Sequence, residues 1–327
     1  MPGNGTTMRI MIRCAVFFVA LTLAGCSIFT PEIEPVAEPE VVSAPVVVEP
    51  EQPVKVPEPD TEPPRLPAVA IVLTSSQPAF VDVANALTEH LDDFQIFDLG
   101  DSSQPPVSVL RIINDSNSGT VVAIGLRAAM SSVAMANMPV IFSQVFNHQD
   151  YGLLTERSRG IAPLAPLDAQ LAAWTEADPT ISRIGIIIGE GHDELITEAR
   201  IAAQKHNIEL RVRIAHSDQE TLYLFRRMSH EIDGFWLFPD NRILSARSLQ
   251  QILNSAKRGQ VAVAVPYESM LTMGATISMA TQAEDIAATI AKIIRQIHDD
   301  GLLSVPAISP LSAVRVVTRG GAEVANR

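Results

Sequence analysis

Cys26 carries the clearest chemistry in this chain, because it closes the stretch Leu23-Ala24-Gly25-Cys26 behind Arg9, Arg13 and the apolar run Ala15–Ala24. A charged start, a short apolar segment and small residues at a cut site make a processing signal of the bacterial lipobox form. The resemblance to a lipoprotein signal implies a diacylglyceryl thioether on the Cys26 thiol and a further acyl chain on its new amine. At about 0.8 kcal/mol per buried CH₂, two chains anchor a protein stably. Cys14 lies in the segment expected to be removed, so no thiol pair remains for a disulfide or zinc. The other reading is an ordinary signal peptide cut nearby, leaving a soluble chain with Cys26 free. The apolar run is shorter than the about 20 residues that a membrane span needs.

Other reactive constellations are not evident. His90, His148, His192, His206, His216, His230 and His298 show no HExxH or paired-ligand spacing, and a metal site needs such convergence. Glu190 and Asp193 flank His192, which a solvated polar loop explains. The chain has no Gly-x-Ser-x-Gly elbow, P-loop or dinucleotide fingerprint, so no enzyme activity, metal or cofactor is expected. A net charge of −13 argues against nucleic acid.

These residues need elements to position them. Residues 1–25 read as the signal, and 26–66 as the modified Cys26 with a linker rich in Pro and Glu. Each Pro of the linker removes a backbone donor and extends its neighbour. The result is a semi-rigid spacer with a reach on the order of 100 Å, made self-repelling by residues such as Glu32, Glu38, Glu49 and Asp60. Residues 67–327 are expected to fold. Apolar runs at Ala68–Leu73, Gln95–Phe97, Thr120–Ile124, Val140–Phe142, Arg183–Ile188, Glu209–Ile214, Gly234–Phe238 and Val261–Val265 alternate with helical patterns. That alternation predicts an α/β protein of two Rossmann-like lobes with parallel sheets covered on both faces.

In open α/β sheets, ligands bind beyond the carboxyl ends of the strands. Candidate ligand-binding residues are therefore Ser75, Ser76 and Gln77 after the first strand, Gly125, Leu126 and Arg127 after the third, Gln144 after the fourth, and Asp240 and Asn241 in the second lobe. Asp240 suits a ligand ammonium in a low-dielectric cleft, or caps the next helix as Ser245 also can. The two serines and Gln77 suit a carboxylate at a helix start, or cap that helix. Arg127 offers a bidentate fork to a carboxylate, or faces solvent.

The stretches Ala123-Ile124-Gly125-Leu126-Arg127-Ala128-Ala129, Met138–Val145 and Asp233-Gly234-Phe235-Trp236-Leu237-Phe238-Pro239-Asp240-Asn241, followed by Gly274–Ser278, resemble the ABC-transporter substrate-binding family. That family has the type I periplasmic-binding-protein fold and includes binders of aromatic amino acids. The resemblance implies a multi-crossing hinge and a ligand trapped as the lobes close. It places lobe 1 at about 67–162 and 274–300, and lobe 2 at 163–273 with the tail 301–327. It assigns Asp240 and Asn241 to the cleft.

The sequence departs from the family in three loops expected to face the cleft. Leu126 stands where a hydroxyl residue is usual, Phe146-Asn147-His148 replaces an acidic-proline pair, and Arg157-Ser158-Arg159-Gly160 replaces a stretch rich in Asn, Thr and Gly. The changes favour a more apolar ligand or a lobe that no longer binds one. The expected function is a lipid-anchored solute-binding protein that presents a small molecule to an ABC permease or sensor. The alternative is an interaction module that reaches a cell-envelope enzyme through the stalk. The expected site is the periplasmic face of a bacterial envelope. Ser27 after Cys26 favours the outer membrane in a Gram-negative cell.

Overall fold

The computed structural model describes residues 68–321 and 323–326. The expected signal, Cys26 and linker lie outside them. Lobe 1 is built from β1 (Ala68–Leu73), α1 (Pro78–Thr88), β2 (Phe94–Asp98), α2 (Pro106–Asn114), β3 (Ser118–Ile124), α3 (Leu126–Met135), β4 (Val140–Ser143) and β5 (Ser158–Ile161). Lobe 2 follows with α4 (Leu167–Ala177), β6 (Arg183–Ile188), α5 (Asp193–Lys205), β7 (Glu209–Ile214), α6 (Asp218–Met228), β8 (Gly234–Trp236), α7 (Ala246–Gly259), β9 (Ala262–Val265), α8 (Ser269–Met273) and β10 (Ile277–Ala280). The chain returns to lobe 1 for α9 (Ala283–Asp300) and β11 (Ile308–Ser309), and ends in lobe 2 with β12 (Arg315–Thr318) and β13 (Glu323–Asn326).

The first sheet runs β11-β5-β4-β3-β1-β2 and is parallel throughout. The second runs β13-β12-β10-β9-β8-β6-β7, parallel except where β12 and β13 join antiparallel. Strands buried on both faces need apolar residues at their buried positions, which AVAIVL and the IGIII that follows the exposed Arg183 supply. In β1, Val69, Ile71 and Leu73 pack against Leu87 of α1 and Ile290 of α9, while Ala70 and Val72 meet Leu110 and Ile113 of α2. Lobe 2 repeats the arrangement. Ile184, Ile186 and Ile188 pack with Trp174 and Trp236, and Ile187 turns to Phe225 and Leu253.

The expected two-lobe α/β architecture is thus present, with crossings at 162–166, 281–282 and 310–314. Side chains hold two of them. Gln170 donates to Ala165 O at 2.7 Å, and Asp285 accepts from the N–H groups of Ser312 and Ala313 at 2.8 and 2.9 Å.

Three expectations need correction. The return to lobe 1 begins at Ala283, not Gly274, because Ile277 and Ser278 pair with Ala264 and Val265 in the second sheet. The tail divides, with β11 in the first sheet and β12 and β13 in the second. Arg157–Gly160 does not face the cleft as a loop: Ser158–Ile161 is the buried strand β5, whose Arg159 donates to Val305 O at 2.9 Å.

Candidate functional site

The strand ends of lobe 1 are occupied mainly in holding one another. Thr74, just past β1, accepts from Ala128 N through Oγ1 at 3.1 Å. Gly125 has φ +85°, and a Cβ there would lie 2.6 Å from Thr74 Oγ1 and 2.9 Å from Phe80 Cζ. Glycine is therefore required at this crossing of β1, β3 and α1. Leu126 is half-buried and packs on the α2–α3 core, and Arg127 is exposed. Ser75 is half-buried, while Ser76 and Gln77 are exposed. Neither serine caps α1. Gln77 occupies the cap position without a side-chain bond, and Pro78 opens the helix.

Gln144 is the strained member of the group. It takes a left-handed conformation at φ 56° and donates to Ala79 O at 3.1 Å, leaving its Oε1 buried without a partner. Backbone held this way costs on the order of 1–3 kcal/mol and tends to mark functional positions.

In lobe 2 the structure corrects the role expected of Asp240. Its side chain is 1% exposed, and both carboxylate oxygens are already engaged. Oδ2 accepts from Gly189 N at 2.9 Å and from Arg242 Nη2 at 2.8 Å, and Oδ1 accepts from Arg242 Nε at 2.9 Å. Asn147 of lobe 1 crosses the cleft to donate to Asp240 Oδ1 at 3.0 Å and to Asn241 Oδ1 at 2.9 Å. Burial pushes the Asp240 carboxyl up, but the hydrogen bonds from Arg242, His192 and Gly189 outweigh it and hold the group far below the usual carboxylate range. A carboxylate so supplied with donors is an internal strut, not a free receptor for an ammonium group. Nor does it cap α7, whose capping box is made by Ser245 and Ser248.

The same cluster takes in residues that strand-end reasoning had not assigned. Arg242 Nη1 reaches Asp150 of lobe 1 at 2.9 Å, and His192 Nε2 lies 3.0 Å from Asn147 Oδ1 and 2.7 Å from Arg242 Nη2. Phe146 of lobe 1 sits over the cluster, 4.8 Å from the His192 ring and 6.3 Å from Phe238, stacked on the latter. The loop 146–150 of lobe 1 is therefore fastened to the strand ends of lobe 2. The unusual Phe146-Asn147-His148 was the sequence signal for it.

Beside this fastening is a cavity of about 860 Å³ between the lobes, at the hinge. Lobe 1 lines it with Phe146, His148 and Leu154, lobe 2 with Leu195 and Glu198, and the crossings with Pro163, Leu164 and Leu311. None of the nine candidate residues of the strand ends lines it. Its size and largely apolar wall suit a small organic molecule. Burial lowers the tendency of His148 to protonate, and partial enclosure raises the carboxyl of Glu198, a residue that remains exposed to solvent.

Among the described residues there is no group of three metal-ligating side chains and no helix long and apolar enough to cross a membrane.

Known proteins resemble the whole folded region. A ligand-bound domain described as an ABC domain in complex with L-Trp from Streptococcus pneumonia superposes with a TM-score of 0.54 at 16% identity, over 77% of this chain and 91% of that one. A ligand-free, open substrate-binding protein with adhesive properties from Clostridium difficile gives 0.58 at 12% identity, over 77% and 92%. A conserved domain protein from Vibrio cholerae gives 0.52 at 16%, over 79% and 96%. At these identities the likeness concerns the fold. None of the curated proteins compared matches. The family model described as ABC transporter substrate binding protein matches residues 69–301, and the chain belongs to that family.

Proposed function

We propose that this protein is a lipid-anchored solute-binding protein that holds a small organic molecule in the hinge cavity and hands it to an ABC permease. The cavity carries the reading. It lies between two lobes joined by several crossings, so closure about the hinge changes its walls, and its volume matches ordinary small-molecule sites. Membership of the substrate-binding family supports it. The lipobox ending at Cys26 adds the anchor, on the periplasmic face of the envelope.

Thermal unfolding against a panel of amino acids, amines, nucleosides and small carboxylates tests the binding half. A ligand at a hundred times its Kd adds about 2.7 kcal/mol to stability. Silence across the panel would sink the reading. The anchor is tested separately by labelled palmitate, which should enter the native chain but not Cys26→Ala.

One observation favours a second reading, an interaction module of a cell-envelope enzyme on the outer membrane. Asp240 and Asn241, which the family resemblance assigns to the ligand, are bonded to Asn147 instead. A fold whose cleft groups satisfy one another serves well as a rigid docking body. Capture of the purified chain by an envelope enzyme, lost when the linker 26–66 is shortened, would support that reading over transport.

A further inference from the structure

The two edges of the first sheet are built differently. At one end β11 has two residues and stands between Pro306 and Pro310. At the other end β2 has five, Phe94–Asp98, in unbroken register with β1. Short edges, proline and charge are the usual guards against strand addition. In the second sheet the edge strand β7 carries Glu209, Arg211 and Arg213, with Arg211 paired to Glu209 and Glu231. Strand β2 has neither proline nor lysine nor arginine, and its apolar Phe94 and Ile96 are 38% and 45% exposed.

The backbone of β2 alternates between its neighbour and the open side. Val69 N–H donates to Asp93 O at 3.0 Å and Leu99 N–H donates to Leu73 O at 2.9 Å, so residues 93, 95, 97 and 99 face β1. The N–H and C=O groups of Phe94, Ile96 and Asp98 therefore point outwards, and among the described residues no strand pairs with them. An apolar, unpaired edge is a template for an added strand. None of its residues lines the hinge cavity, so the feature stands apart from solute binding.

Charge decides what the edge takes. Asp92 and Asp93 precede the strand, Asp98 and Asp101 end it, and no lysine or arginine occurs between residues 82 and 110. Two copies pairing antiparallel through β2 would set Asp92 and Asp93 of one against Asp98 and Asp101 of the other. Like charges facing each other across strands destabilise pairing. A segment with basic residues at both ends and apolar residues between them complements the acids and the exposed side chains together.

We propose that β2 is a docking edge for an extended, basic-flanked segment of another protein, which adds to the first sheet as a further strand. Its apolar side chains lie beside Phe94 and Ile96, and its basic ends meet the aspartates.

A synthetic peptide with two lysines at each end of Val-Thr-Val-Thr-Val tests this by calorimetric titration against the full chain, beside a twin with glutamates in place of the lysines. The lysine peptide should bind at least about tenfold more tightly than its twin. Ile96→Pro removes an outward N–H and an apolar side chain but leaves every bond to β1 in place, and should weaken the lysine peptide about tenfold. Ile96→Lys keeps the backbone donor and guards the edge with charge, so it should show a similar loss even if the proline variant does not fold. Amide hydrogen exchange should slow at Phe94, Ile96 and Asp98 in the complex and stay as it was at Gln95 and Phe97. Equal binding of the two peptides, undiminished binding by Ile96→Lys, or slowing confined to other surfaces means attachment to acidic surface at large and overturns the assignment. Failure of the lysine peptide to bind overturns it as well. A dimer in sedimentation that Ile96→Lys breaks gives the edge to a second copy of the chain and overturns the basic partner.

Discussion

Asn147 donates a hydrogen bond to Asp240 at 3.0 Å across 93 residues of sequence, and in doing so joins the two lobes. The acceptor is almost fully buried and also receives Gly189 N and Arg242, so the amide of Asn147 completes a carboxylate already rich in donors. The lobes are held at the strand ends by polar groups that satisfy one another. The cavity beside them is left to select by shape.

Asp240→Asn should therefore destabilise the protein by about 3 kcal/mol, since it leaves Arg242 facing a neutral amide and Gly189 N competing for one oxygen. Urea unfolding measures the loss. Asn147→Ala removes one donor and costs less, about 1 kcal/mol, but should raise the radius of gyration in X-ray scattering because the lobes lose their fastening. Because the Asp240 carboxyl is depressed, its contribution is intact above the ordinary carboxylate value near about 4 and is lost as pH falls below it. Neutral and mildly acidic conditions should leave the fastening in place.

His148 sets a different pH window. Burial depresses its protonation in the folded state, so the fold favours the neutral ring. Stability tied to this group is complete above the unfolded value of about 6.5 and falls as pH drops through it, by up to about 1.4 kcal/mol per pH unit. His148→Gln should flatten the thermal midpoint between about pH 6.5 and pH 5 relative to the native chain. An unchanged pH slope in the variant would show that other groups govern this range.

Gln170 is a third point of dependence. It accepts from Trp236 Nε1 at 3.0 Å and donates to Ala165 O at 2.7 Å, linking β8 and α4 to the first hinge crossing. Gln170→Leu keeps the volume but strands a buried indole N–H and a carbonyl, at a cost of about 1–3 kcal/mol each. Tryptophan fluorescence should shift as well, because Trp236 and Trp174 both lie in the affected core.

Such residues also mark where the sequence stops being readable. Strands such as Ala68–Leu73 and Arg183–Ile188 announce themselves as apolar runs, since burial on both faces leaves no room for polar residues. Helix α4 does not, because it follows Pro163 and Pro166, is rich in alanine and buries the polar Gln170, whose partners are distant in sequence. Strand β5 hides behind Arg159, whose charged group is met by the backbone carbonyls of Val305, Thr155 and Ser158. Asp240 and Asn241 are legible as a strand-end pair, yet nothing nearby in the chain reveals that Asn147 claims them. The cavity is hidden for a related reason. Its walls come from apolar connections such as Pro163–Leu167 and Ala307–Leu311, which carry no chemical signature.

Gly189 offers the sharpest test of the fastening, because it contributes backbone and no side chain. A Cβ there would lie 2.6 Å from Asp240 Oδ2 and 2.7 Å from Arg242 Nη2, closer than real contacts allow. The carboxylate is pinned by its other donors, so Gly189→Ala must displace Asp240 and Arg242 together. Asn147 then loses its acceptor, although no contact within either hydrophobic core is touched. The variant should lose stability comparable to Asp240→Asn. The two combined should cost clearly less than their sum, since each disrupts the same carboxylate. Unfolding free energies of the two single variants and the double variant decide it: strict additivity would mean that Gly189 and Asp240 act separately, and that the lobes are held by something other than this cluster.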